Sequence, residues 1–157
     1  MMSYKDYMKA AFRHLAVCNQ LIDDIKRCQL SIPNQKHILN EVYYISGYVV
    51  ECVLSYVLFY KHNGDISTNP FYNDPAFKKH HNLQFRLDYV KKKTNSRFTN
   101  IVFFSIPHEK PDQNRLFSDW SVDFRYEEST NLSKDHLSLF LSEITEIHKK
   151  ILFQYPL

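Results

Sequence analysis

Glycine is nearly absent from this chain, with two residues in 157. Six prolines add little to that. So few turn formers argue against a turn-rich β architecture and against collagen-like repeats, and leave long helices as the natural alternative. Cysteine is also scarce. Cys18, Cys28 and Cys52 are odd in number, lie in helix-like segments and include no Cys-x-x-Cys pair. That argues against a disulfide framework or a zinc ribbon and fits a reducing cytoplasm. The first residues, MMSYKDYMKAAFRHL, carry charges where a secretory signal needs an apolar run, so nothing in them marks the chain for export. No glycine-rich phosphate loop is present, against a P-loop or Rossmann nucleotide site. There is no internal repeat, and no cofactor is expected.

What is present is ordinary for one globular domain across residues 1–157: 24% charged and 44% hydrophobic residues. From Tyr4 to Cys28 apolar residues recur at helical spacing, at Tyr7, Met8, Ala11, Leu15, Cys18, Leu21, Ile22, Ile25 and Cys28. SIPNQKH then breaks the pattern. A second helix is expected from about Asn34 to His62, stopped by Asn63-Gly64. Asp74-Pro75 reads as the cap and first turn of a third, running to about Lys93. Residues 95–131 form an irregular crossover in which Phe98–Phe104 fits a short strand or a helical turn. From Ser133 onward Leu137, Phe140, Leu141, Ile144, Ile147, Ile151 and Tyr155 make one apolar stripe. The expectation is an all-α, up-down bundle of four to five helices.

The run YYISGYVVECVLSYVLFY, Tyr43 to Tyr60, holds one charge, Glu51. As a membrane span it would place that carboxylate at its centre, at a cost of roughly 2.5–3.5 kcal/mol. Its tyrosines are spread along the run rather than held at the ends, as an aromatic belt would require. A central helix buried by its neighbours accounts for the run better. Asn40, Tyr44, Gly47, Tyr48, Glu51, Ser55, Leu58 and His62 fall on one semi-polar face. Gly47 is a poor helix residue, and its place one turn before Glu51 implies that another group comes close there. Glu51 is either a structural hydrogen-bonded carboxylate or part of a site, and in both cases it needs a partner.

Two stretches offer one. KKHHNLQFRLDYVKKK contains His80 and His81. WSVDFRYEE contains the sole tryptophan, Trp120, followed by Asp123, Arg125 and Tyr126. An arginine can hold a carboxylate by two hydrogen bonds, which makes Arg125 the expected partner of Glu51. His80 and His81 are poor zinc ligands, because adjacent helical positions point about 100° apart and no Cys or second His repeats at ligand spacing. No metal is expected.

YYISGYVVECVLSYVL, then HHNL, then WSVDFRY, in this order and at these separations, resembles the HEPN domain proteins, small prokaryotic helical bundles. In that family a central helix reading roughly Tyr-x-x-Gly-Tyr-x-x-Glu precedes a His-(Asp/Asn)-Leu element and a Trp-x-x-x-x-Arg-Tyr element. The resemblance spans about residues 38–126. It implies a bundle of four or five helices, a homodimer, a link to RNA or to defence systems, and often a neighbouring nucleotidyltransferase as antitoxin partner. By position, Glu51, His81, Arg125 and Tyr126 would line the family's polar cleft. The family's nuclease branch uses Arg followed by four to six residues and then His. None of Arg13, Arg27, Arg86, Arg97, Arg115 and Arg125 has a histidine in that window. Catalysis would therefore need Arg125 and a distant histidine, His81 being the best placed, to assemble in space.

Residues 76–97 hold seven cations against Asp88, a net +6 that leaves −3 for the rest of the chain. Lys78, Lys79, Lys91, Lys92 and Lys93 are candidate phosphate contacts on RNA, or else a solvated helix face. Two functions follow as expectations: a cytoplasmic module binding RNA, a nucleotide or a partner protein through a polar cleft lined by Glu51, His80, His81, Trp120, Asp123, Arg125 and Tyr126; alternatively, a metal-independent ribonuclease toxin.

Overall fold

The structure, a computed structural model, describes residues 2–28, 30–79, 81–94, 116–126 and 132–157, without the side chains of Lys79, Arg125 and Tyr126. The chain is an all-α bundle with no strand among the described residues. Its helices are α1 (Tyr4–Arg27), α2 (Ile32–Leu58), α3 (Pro75–Lys79), α4 (Leu83–Thr94) and α5 (Lys134–Gln154), with 3-10 turns at Ile66–Thr68 and Val122–Tyr126. Of the expected crossover, 116–126 is described, with a helical turn at 116–118. Phe98–Phe104 lies outside the described residues.

Local chemistry sets the helix ends. Ser3 caps α1 in a capping box, its amide donating to Asp6 Oδ2 at 2.8 Å. α2 starts two residues before the expected Asn34, because Pro33 is tolerated in a first turn, where its missing N–H costs nothing. It also ends earlier than expected, at Leu58: Lys61 (φ 63°) already turns the chain left-handed before the Asn63-Gly64 stop, where Gly64 (φ 119°) turns it again. Ser133 caps α5 through the His136 amide.

α2 lies at the centre. Tyr4 packs on Tyr56 and Tyr60, while the Cys18 thiol donates to the Val42 carbonyl, so α1 runs antiparallel to α2. Tyr43 meets Phe140 and Tyr56 meets Tyr155, so α5 runs parallel to it. Surrounded in this way, α2 can be mostly apolar without being a membrane span; no described helix is long and apolar enough to cross a bilayer. Its tyrosines are satisfied individually: Tyr43 donates to Leu116 O and Tyr56 to Tyr155 O, both at 2.6 Å, and the hydroxyls of Tyr44 and Tyr48 lie 3.0 Å apart.

The close approach expected at Gly47 is made by Trp120. The indole is 1% exposed, and its N–H is shared between the carbonyls of Tyr43 (3.1 Å) and Tyr44 (3.2 Å). Its ring lies where a Cβ on residue 47 would be. Gly47→Ala should therefore destabilise the fold by about 3 kcal/mol or more, at the upper end of overpacking costs. Urea unfolding measures the loss, and Trp120→Phe in the same chain should recover part of it.

On α5, His148 is 4% exposed, and its Nε2 has no hydrogen-bond partner among the described residues. The ring of Phe12 covers it at 6.2 Å. Burial pushes this imidazole below its ordinary 6.5. Below that pH the unfolded chain binds more protons than the folded one, so the contribution of His148 to stability is lost as pH falls. His14 shifts in the same direction, through burial and the nearby Arg13. His148→Leu should thus show a shallower decline in stability between about pH 7 and pH 5 than the parent, with a residual slope from His14.

Candidate functional site

The third helix does not run unbroken from Pro75 to Lys93. It stops at Lys79 and restarts at Leu83. The cause is Asn82, whose side-chain oxygen takes the Phe85 amide at 2.9 Å while its carbonyl takes the Arg86 amide at 3.0 Å. An Asx cap of this kind competes with continuation of the preceding helix. Asp74 caps α3 through the Ala76 amide, and its other oxygen accepts from the Tyr89 hydroxyl at 2.6 Å. His81 therefore sits in the gap between two helices, free of the 100° constraint that a continuous helix would impose. His80 lies outside the described residues.

That break builds the site. Leu83, wholly buried, and Leu87 anchor α4 against the core, and Arg86, on the same apolar stripe, is carried in with them. Its Nε lies 3.2 Å from Glu51 Oε1, and its guanidinium stacks 4.5 Å from the centre of the Phe77 ring. The two side chains of this ion pair are 7% and 9% exposed. His81 Nδ1 lies 3.0 Å from the same Oε1, with its side chain 43% exposed. Burial raises the Glu51 carboxyl above its ordinary value, while Arg86 and then His81 pull it back. Ionisation here is a cost that the charge of Arg86 and the contact with the His81 ring offset.

A cavity of about 270 Å³ opens on the cluster. Tyr7 of α1 and Tyr48, Cys52 and Ser55 of α2 line it together with Glu51; Tyr72, Phe77, Lys78 and Arg86 close the other side. Burial pushes the Tyr7 hydroxyl up to about 12 and the Cys52 thiol up to about 11, with the charge of Glu51 adding to the latter. Both stay neutral at physiological pH. The Lys78 ammonium lies 5.6 Å over the Tyr72 ring, and that of Lys93 lies over Phe71 and Tyr89.

Among the residues expected from sequence, Glu51 and His81 meet directly. Lys78 borders the cavity, and Lys91, Lys92 and Lys93 are exposed along the last turn of α4. Trp120 does not face solvent; it backs Tyr48, edge to face at 5.5 Å, and so supports the cavity wall from behind. Asp123 is exposed and holds its own 3-10 turn through Ser121. The backbone of Arg125 and Tyr126 belongs to that turn, and their side chains lie outside the described residues, as does that of Lys79. The cation on Glu51 in the described structure is Arg86, where Arg125 is the expected partner. One sequence signal marks Arg86: it stands among Leu83, Leu87 and Val90 at core spacing, a lone cation on a buried stripe matching the lone anion of α2.

No protein-family model matches the chain, and neither a curated protein nor a solved structure shows significant similarity to it.

Removing one partner of a buried ion pair strands the other. Arg86→Ala should cost roughly 3–5 kcal/mol in urea unfolding, and the double change Arg86→Ala with Glu51→Gln should cost less than that single one.

Proposed function

We propose that the chain is an HEPN-like helical module that binds RNA or a nucleotide in the cavity beside Glu51. The observation carrying this reading is the ordering of groups there. A buried carboxylate paired with Arg86 and touched by His81 forms the polar interior, aromatic rings form the walls, and Lys78 borders the cavity within a segment carrying net +6. Ring faces stack on unpaired bases, and lysines supply the phosphate contacts. The resemblance in motifs adds a homodimer, a prokaryotic toxin-antitoxin or defence setting, a cytoplasmic location and a nucleotidyltransferase-type partner to the proposal. Fluorescence anisotropy with a labelled single-stranded RNA tests it. Binding should weaken with salt, and Lys78→Ala should weaken it further and lower the slope of log K against log salt by about 0.7–1. No binding to RNA or nucleotides at low salt would end this reading.

A second reading rests on His81. Its Nδ1 is held by a carboxylate while much of its side chain remains open to solvent, the arrangement a general base needs. Arg125 would be its counterpart in a metal-independent ribonuclease. On that reading RNA is cut in the presence of a chelator, and His81→Ala abolishes cutting while binding persists.

A further inference from the structure

Phosphate contacts leave the deepest group in the cavity unused. Oε1 of Glu51 receives both Arg86 and His81, whereas Oε2 has no hydrogen bond to a described residue. Nor is that oxygen sealed in, and Glu51 lines the cavity with a side chain 9% exposed. A carboxylate oxygen can only accept, so it repels a phosphate and calls for an N–H or O–H donor. The rings of Tyr7, Tyr48, Tyr72 and Phe77 call for something flat. Among the described residues that line the cavity, Lys78 is the cation outside the buried pair, exposed and held over Tyr72. From inside outward the order is acceptor, ring faces, cation. A nucleotide shows the complementary order: the N–H edge of the base, the base faces, the phosphate.

We propose that the cavity takes the base of an unpaired nucleotide, a base N–H donating to Glu51 Oε2 while the phosphate stays outside at Lys78. This rests on the RNA or nucleotide reading above and adds what is recognised. At about 270 Å³ the cavity falls just under the roughly 300–1,000 Å³ of drug-sized sites, room for one base and not for a duplex. Every base offers an N–H on its pairing edge, so recognition is tolerant of sequence. In a duplex those N–H groups are already engaged, so a paired base is refused.

Three probes separate the contributions at fixed salt: a single-stranded tetraribonucleotide, the abasic ribose-phosphate tetramer of the same length and charge, and a hairpin that holds the tetramer sequence paired. The hairpin carries more phosphate and would bind more tightly if charge alone decided. The single strand should bind at least tenfold more tightly than either of the others. Lys78→Ala should weaken all three by the same factor. Glu51→Gln should erase the preference for the single strand, and Tyr72→Leu, at a half-buried loop position, should do the same if Glu51→Gln fails to fold. Equal binding of the three probes to the parent overturns the base-recognition proposal and leaves the RNA reading standing, as does a preference that survives in whichever of the two variants fold. Binding of none of the three overturns both.

Discussion

The buried pairing of Glu51 with Arg86 is the constraint on which the site depends. Each charge alone on its helix would be untenable: a carboxylate amid the apolar turns of α2 takes up a proton, and an arginine on the core stripe of α4 pulls its helix outward. Together they tie α2 to α4, Nε meeting Oε1 at 3.2 Å while Leu83 and Leu87 on the same face of α4 are buried in the core. A hydrophobic pair of similar volume would hold two helices as well or better. What it could not do is leave a carboxylate oxygen and an imidazole at the edge of a cavity.

Asn82 is what allows this. Had the helix continued through residues 80–82, His81 would project from its surface at a fixed angle to Arg86, about 140° around the axis for a five-residue separation, and the two could not converge on one oxygen. Ending α3 at Lys79 and restarting α4 at Leu83 frees His81 to approach Glu51 from outside while Arg86 approaches from within. A single amide side chain, bonding the Phe85 amide, thereby converts a helix into a two-sided clamp.

Much of the bundle is legible in the sequence because it is written as periodicity. The stripes of α1 and α5 repeat at 3.6 residues, and their ends agree with Arg27 and Ser133 within a residue or so. Glu51 and Gly47 stand out as exceptions within a strong pattern, and each marks a real neighbour: Arg86 with His81 for one, Trp120 for the other. The break at residues 80–82 is not legible, since no proline or glycine marks it and only the local preference of Asn82 opposes continuation. Arg86 is overlooked for a related reason. Lying amid lysines, it reads as one more surface cation, whereas Arg125, beside tyrosine and near tryptophan, reads as a site residue. Net charge along the chain cannot say which cation is buried; the apolar positions three and four residues away can.

Trp120 connects these two levels. Its indole is far from solvent, yet it occupies the space over Gly47 and presses against Tyr48, which lines the cavity one turn before Glu51 and Cys52. The described part of the crossover is thus packed on the back of the cavity wall, held by a bifurcated indole N–H that bonds the Tyr43 and Tyr44 carbonyls and adds to the α2 ladder without displacing it. The absence of a side chain at residue 47 lets the indole sit this close. Glycine scarcity is itself informative in that light: of the two glycines in the chain, one relieves a turn and the other makes room for the tryptophan that steadies the site.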